Sequence, residues 1–154
     1  QAGERIESVD QPTFYASLGP WQDPEMEEPP FFPYSHQAST VSALDTALER
    51  ILAEGVESVY ERHESVAELT RERGVELGLE PYPADPETYS PTVTAFEVEG
   101  SARDLQQSVL ESSNTLLATG LHDHADDILR VGHMGYNADR EKVNRTMDAI
   151  ESVR

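Results

Sequence analysis

Cysteine and long apolar runs are missing from this 154-residue chain. Without cysteine the chain can form neither disulfides nor thiolate metal sites. No apolar run approaches the roughly 18 residues that a membrane-spanning helix needs, and no signal-peptide pattern opens the sequence. We therefore expect a cytoplasmic protein with no membrane partner.

Basic residues are also scarce, since 11 Lys plus Arg stand against 30 Asp plus Glu, and Lys142 is the only lysine. The formal net charge of -19 repels phosphates, so nucleic acid is not expected as a partner. The carboxylates are interleaved with apolar residues, which is typical of a folded domain rather than a disordered tail. A lysine-poor acidic surface indicates a halophilic protein of a haloarchaeal type. The alternative is an acidic protein from a mesophile.

Proline separates the first 40 residues from the rest. Six prolines prevent a long helix in 1–40 and favour extended backbone. Phe14, Trp21 and Phe32 lie among them, and a free linker would not carry so much aromatic surface. We interpret 1–40 as a connecting or interface segment, which packs on a missing domain or subunit or folds back on its own domain. Residues 41–154 are the main domain.

Helical and strand patterns alternate along 41–154. Apolar residues at helical spacing predict helices over 41–54, 56–77, 101–112 and from 138 onwards. Runs rich in β-branched residues predict strands over 79–82, 92–98, 115–119 and 127–131. Gly55 is the predicted stop of the first helix, and Asn137 the predicted N-cap of the last. Two helices followed by β-β-α-β-β-α indicate an α+β fold, a small sheet with helices on one face.

Arg130 is the unusual residue of the strand predicted over 127–131. It lies between apolar residues and cannot lose its proton, so it requires an anion, either a structural carboxylate such as Asp127 or a substrate. Gly132 and Gly135 follow, and they indicate close backbone approach or unusual dihedral angles.

A polar stretch over 122–127 contains two histidines and three aspartates. Imidazole and carboxylate groups spaced two apart suit zinc. No further ligand cluster accompanies them, so we interpret the stretch as a solvated acidic loop and predict no metal site.

Three passages resemble class V aminotransferases, a pyridoxal-phosphate family. RVGHMGYN at 130–137 resembles the family's "RIGHMG" segment, and the similarity is to the alanine–glyoxylate and serine–pyruvate branch. AEGVE at 53–57, followed by Arg62-His63, is similar to its "EEGLE…RH" helix pair. LGL at 77–79 and SPTVTA at 90–95 are similar to its "LGL…SPTVTA" passage. The resemblance runs from about residue 15 to the end and implies the small C-terminal domain of a fold-type I transferase, with a mainly antiparallel sheet.

The resemblance also implies roles for single residues. The family arginine that matches Arg130 holds the α-carboxylate of the substrate. Tyr34 and Ser35 match residues that contact the phosphate of pyridoxal 5'-phosphate across the dimer interface, although Ser35-His36 stands where the family usually has Thr-Pro. The Schiff-base lysine is expected upstream, in a missing large PLP-binding domain. No catalytic residue is therefore predicted in this chain, which alone should be inactive, and Lys142 is interpreted as a surface lysine.

The implied activity moves an amino group between a small amino acid (alanine or serine) and an α-keto acid (glyoxylate or pyruvate), in a homodimer. The alternative is a non-catalytic α+β module that binds a small carboxylate or a partner subunit through Arg130. His133 and Tyr136 could line the arginine's pocket, although a packed histidine is the commoner outcome. His63 is predicted to lie in the core or in an interface.

Overall fold

The computed structural model describes residues 2–9, 17–18 and 37–154. Within them the helices are α1 Ala2–Ser8, α2 Ala38–Glu54, α3 Val56–Glu76, α4 Ala102–Ser113 and α5 Arg140–Val153. The strands are β1 Glu80–Tyr82, β2 Val93–Glu97, β3 Ala118–Thr119 and β4 Ile128–Gly132. Three short 3₁₀ turns lie at Pro86–Thr88, His122–His124 and Gly135–Asn137. The chain divides into two compact units, Gln1–Glu49 and Arg50–Arg154, and α2 continues across the boundary.

The four strands form one antiparallel sheet in the order β1-β2-β4-β3. Phe96 of β2 lies opposite Leu129 of β4, and Thr94 lies opposite Val131, so these four side chains share a face. All four are buried. The core on this face is completed by apolar residues of α3, α4 and α5, among them Val66, Leu105, Val109, Val143, Met147 and Ile150. The predicted α+β fold is confirmed, with helices packed on one face of a small sheet.

Gly74 explains how closely α3 approaches the sheet. A Cβ at this position would lie 2.1 Å from a ring carbon of Phe96, which is a severe clash. Glycine costs about 1 kcal/mol of helix propensity relative to alanine. In return the helix backbone lies directly against a fully buried aromatic ring.

Several predicted boundaries differ from the structure. The seven residues of α1 are helical rather than extended, because they precede Pro12, the first proline of the sequence. Strand β3 is only two residues long, rather than the predicted five, and the Leu117 carbonyl just before it accepts a hydrogen bond from Gln106 Nε2 (2.7 Å). The predicted N-cap Asn137 is wrong, because Asn137 ends a 3₁₀ turn. Asp139 caps α5 instead, and its carboxylate accepts from the backbone N–H of Lys142.

Helix α2 has the predicted apolar stripe, but the stripe is not covered. No residue of α2 is buried. The exposed members are Val41, Leu44, Leu48, Ile51 and Leu52. A single residue, Gly55 at φ +89°, separates α2 from α3, so the predicted tight turn between the two helices is confirmed.

Candidate functional site

Arg130 lies on the sheet face opposite the helices. It is paired across the strands with Ala95 on one side and Ala118 on the other, and Ala95 is paired in turn with Tyr82. Directly opposed residues point to the same face of a sheet, so one row of side chains contains a tyrosine, an alanine, the arginine and another alanine. We call this surface the Arg130 face. Its small residues leave the half-buried guanidinium as the main functional group of the row.

A backbone carbonyl orients the Arg130 side chain. Its Nε donates to the carbonyl of Thr119 at 2.7 Å, which leaves the two terminal nitrogens for another acceptor. Within residues 37–154, no carboxylate lies within 4 Å of this guanidinium, Asp127 included. A guanidinium held at Nε presents its remaining N–H groups as a planar fork, the geometry that matches a carboxylate.

Gly132 widens the space beside Arg130. The two residues are two apart on β4, so they share a face. A Cβ at Gly132 would meet nothing within 4 Å and no positive φ requires glycine there. The expected close approach is therefore absent at Gly132 among the described residues, whereas Gly135 has the expected unusual dihedral, with φ +57°.

The turn that follows β4 is held by two consecutive side chains of α3, which we call the α3 clamp. Arg62 Nη1 donates to the carbonyls of Gly135 and Ala138, both at 2.9 Å. The same guanidinium pairs with Glu54 through two nitrogens, at 2.5 and 2.9 Å. Hydrogen bonding to Arg62 lowers the pKa of the Glu54 carboxyl, and the same contact raises the pKa of Arg62.

His63 is the second member of the α3 clamp, and its contacts define its tautomer. Nδ1 lies 2.7 Å from the Val59 carbonyl, so this nitrogen carries the proton and donates. Nε2 then accepts from the backbone N–H of Gly135 at 3.0 Å. A protonated imidazole has no acceptor, so protonation would break the Gly135 contact.

His133 is fully buried, which agrees with the interpretation as a packed histidine. Its Nε2 lies 2.8 Å from the hydroxyl of Thr94, and its backbone N–H donates to the carbonyl of Thr92. Nδ1 has no hydrogen-bond partner among the described residues. Burial lowers the pKa of His133, so the ring is neutral at pH 7. His133 therefore locks the end of β4 to β2 and does not line the Arg130 face.

Tyr136 does not line an Arg130 pocket either. It is 74% exposed in the 3₁₀ turn. Its hydroxyl accepts from Arg50, whose guanidinium carbon lies 5.4 Å from the ring centroid. The ammonium of Lys142 lies 5.8 Å from the same centroid. Tyr136 is thus flanked by two cations.

The remaining candidates lie apart from Arg130 or outside the described residues. Tyr34 and Ser35 belong to the latter, so their phosphate contact stays a prediction. In the polar stretch, His122–His124 form a 3₁₀ turn and Asp126 pairs with Arg103 at 3.1 Å. Over the ranges that are described, no three His, Asp or Glu side chains come close enough to hold a metal ion.

Sequence reasoning missed the Thr119 carbonyl and the α3 clamp. A backbone acceptor has no sequence signature. Arg62-His63 did stand out as a motif, and its position opposite Gly135 became visible only once α3 had packed beside the turn.

The residues of this chain do not fit a complete pyridoxal-phosphate site. A Schiff base needs a lysine amine, and Lys142 Nζ donates to the Tyr136 carbonyl at 2.7 Å and lies 3.3 Å from Asn137 Oδ1. Lys142 is on α5, across the sheet from the Arg130 face.

Similar proteins are larger than this chain. No protein-family model matches it. A soluble hydrogenase small subunit of Synechococcus is 32% identical over 99% of this chain and 39% of that protein. The alanine–glyoxylate aminotransferase of Oryctolagus cuniculus is 34% identical over 78% of the chain and 32% of that enzyme. The serine–glyoxylate aminotransferase of Methylorubrum extorquens is 33% identical over 75% of the chain and 29% of that enzyme. The chain thus spans two fifths or less of the length of these relatives.

Solved structures of aminotransferases also superpose on this chain. An alanine–glyoxylate aminotransferase of Nostoc superposes with a TM-score of 0.83 at 25% identity, covering 97% of this chain and 40% of that one. A pyridoxamine–pyruvate aminotransferase of Mesorhizobium loti gives a TM-score of 0.75 at 28% identity, covering 81% of this chain and 32% of that one. On the strength of its aminotransferase relatives, the chain belongs to the class V aminotransferase family, and its α+β architecture is that of the C-terminal domain of fold-type I aminotransferases.

Proposed function

We propose that this chain is the C-terminal domain of a pyridoxal-phosphate-dependent class V aminotransferase, and that Arg130 binds the substrate α-carboxylate. One observation carries the proposal. Arg130 is anchored through Nε by Thr119, while no carboxylate among the described residues neutralises its terminal nitrogens. A half-buried, uncompensated guanidinium is a preorganised carboxylate receptor.

Two further observations support a larger assembly. The chain corresponds to 39% of one relative and 32% of another. The apolar stripe of α2 is exposed, with Leu52 at 73% and Val41 at 63%. A contiguous exposed apolar surface typically marks an interface. We assign this stripe to contact with the remaining part of a longer protein, which supplies the Schiff-base lysine.

The proposal assigns the chemistry as follows. Pyridoxal phosphate, held by the larger part with help from Tyr34 and Ser35, supplies the electron sink for amino-group transfer when bound. Arg130 binds and orients the carboxylate of alanine or serine, and of glyoxylate or pyruvate as acceptor. The Thr119 carbonyl holds the guanidinium plane in place. We place the enzyme in the cytoplasm as a homodimer and regard its acidic surface as halophilic.

Replacement of Arg130 in the complete enzyme tests the proposal. Arg130→Ala removes two parallel charge-assisted hydrogen bonds, and should cost roughly 3–4 kcal/mol, or about two to three powers of ten in kcat/KM. Arg130→Lys should recover only part, because an ammonium cannot reproduce the fork. Cofactor absorbance should be unchanged in both variants.

A different pattern would refute the assignment. If Arg130 only stabilises the sheet, Arg130→Ala will lower the melting temperature while the surviving enzyme keeps a near-normal kcat/KM. A complete enzyme without transaminase activity, with Arg130 still binding small carboxylates, would instead favour the non-catalytic module.

A further inference from the structure

A second cleft, which Arg130 does not line, lies where the end of β4 meets α4 and α5. It has a volume of about 590 Å³ and is bounded by the end of α4, the segment before β3, the end of β4 and the first turns of α5. We call it the Lys142 cleft, and we propose that it binds the phosphate group of a small molecule. Its volume lies within the range of small-molecule pockets.

Charge is the first argument. The chain carries 30 carboxylates and a net charge of -19, yet no Asp or Glu lines this cleft. Two of the 11 basic residues do line it, namely Lys142 and Arg145. The cleft is therefore a local cationic site on an otherwise strongly acidic protein.

Neither cation is neutralised within the described chain. Lys142 bonds to neutral acceptors, the Tyr136 carbonyl and the Asn137 side chain, which leaves one of its three N–H groups. Arg145 is exposed and has no ion pair within 4 Å among residues 37–154. The two cations stand three residues apart on α5, where like charges repel across one helix face. An anion bound between them would relieve that repulsion.

The remaining polar groups of the cleft act mainly as donors. The side-chain amides of Asn114 and Asn137 offer N–H groups, and the Thr115 hydroxyl offers a further donor. The hydroxyls of Ser113 and Thr146 already donate to the carbonyls of Val109 and Lys142. One guanidinium, one ammonium and several neutral donors without a carboxylate suit a phosphate rather than a cation or an apolar ligand.

The test is a titration of the 154-residue chain with inorganic phosphate and, separately, glycerol 3-phosphate, at fixed ionic strength. Binding is followed by calorimetry and by the NMR shifts of the Asn114 and Asn137 side-chain amides. We expect saturable binding of at least one probe, and no shift with glycerol. Tighter binding of the ester than of inorganic phosphate would show that the organic part also occupies the cleft.

Arg145→Gln should weaken phosphate binding about tenfold, the loss of one charge-assisted hydrogen bond. Lys142→Gln, the second variant, should also weaken phosphate binding, because it removes the other cation of the cleft. Arg140→Gln is the matched control, since it removes the same charge from α5 at a residue that bonds to Ser65 and does not line the cleft. No saturable binding, or equal weakening by Arg140→Gln and Arg145→Gln, would overturn the proposal. Either result would leave the assignment of Arg130 intact.

Discussion

Arg130 and His133 are three residues apart, yet they belong to opposite sides of the sheet. Arg130 is in the row that contains Ala95 and Ala118, whereas His133 reaches the hydroxyl of Thr94 on the helix side. The terminal nitrogens of the arginine have no carboxylate within 4 Å among residues 37–154, and the histidine is closed off from solvent. The two residues belong to one sequence motif, but Arg130 is half-buried on the face opposite the helices, whereas His133 is a buried structural contact.

The lowered pKa of His133 makes a testable contribution to stability. Its folded pKa lies below the unfolded value of about 6.5, so the unfolded chain takes up the proton first as the pH falls. The contribution is complete above that pH and is lost as the pH falls from about 6.5 towards the folded pKa. The stability difference between wild type and His133→Gln should therefore shrink between pH 7.5 and 5.5, measured by urea unfolding. A His133→Gln curve parallel to that of wild type would show that the buried ring does not control acid sensitivity.

At the scale of elements, the short turn between β4 and α5 is stabilised by side chains of another element, helix α3. Arg62 donates to the carbonyls of Gly135 and Ala138 in this turn. The backbone N–H of Gly135 donates to His63. Both side chains come from one turn of α3, and Glu54 of α2 braces the guanidinium. The segment that follows the Arg130 strand is thus positioned by packing of α3 rather than by its own sequence.

Loss of the α3 clamp should loosen this turn specifically. Arg62→Met removes two charge-assisted bonds to backbone carbonyls, and should lower the free energy of unfolding by about 1–3 kcal/mol. The amides of Gly135 and Ala138, which are hydrogen-bonded in the structure, should exchange hydrogen faster, while those of β2 remain protected. Arg71→Met on the same helix is the control, because Arg71 lies over the ring of Tyr89 (5.0 Å) and not against the turn. Equal acceleration in both variants would contradict a clamp.

At the scale of the whole molecule, the net charge of -19 opposes compactness. The sheet contains one such like-charge pair, since Glu80 of β1 and Glu97 of β2 lie directly opposite each other. Like charges in that position destabilise a strand pair. Favourable pairs exist, such as Arg73 with Asp148 at 2.7 Å, but 11 cations cannot balance 30 carboxylates.

Salt should therefore stabilise the fold. The Debye length falls from about 10 Å at 0.1 M to about 3 Å at 1 M salt, so the melting temperature should rise steadily as potassium chloride increases. Glu97→Gln should raise the melting temperature in dilute salt, and the gain should diminish in molar salt. A flat or falling melting curve in wild type would remove the argument for adaptation to high salt.

The α+β class and the order of the sheet strands and the helices packed on them follow from the sequence, because periodicity and β-branched runs are local signals; the role of Arg130 stays a prediction. The sequence placed the cap of α5 wrongly, since Asn137 and Asp139 are both good caps and only the path of the turn selects between them. Tertiary structure alone decided which face Arg130 occupies, that Thr119 orients it and that Asp127 does not pair with it. It also decided that α3 holds the following turn and that Lys142 and Arg145 border one cleft. These are contacts between residues distant in sequence, and register and helix packing set them.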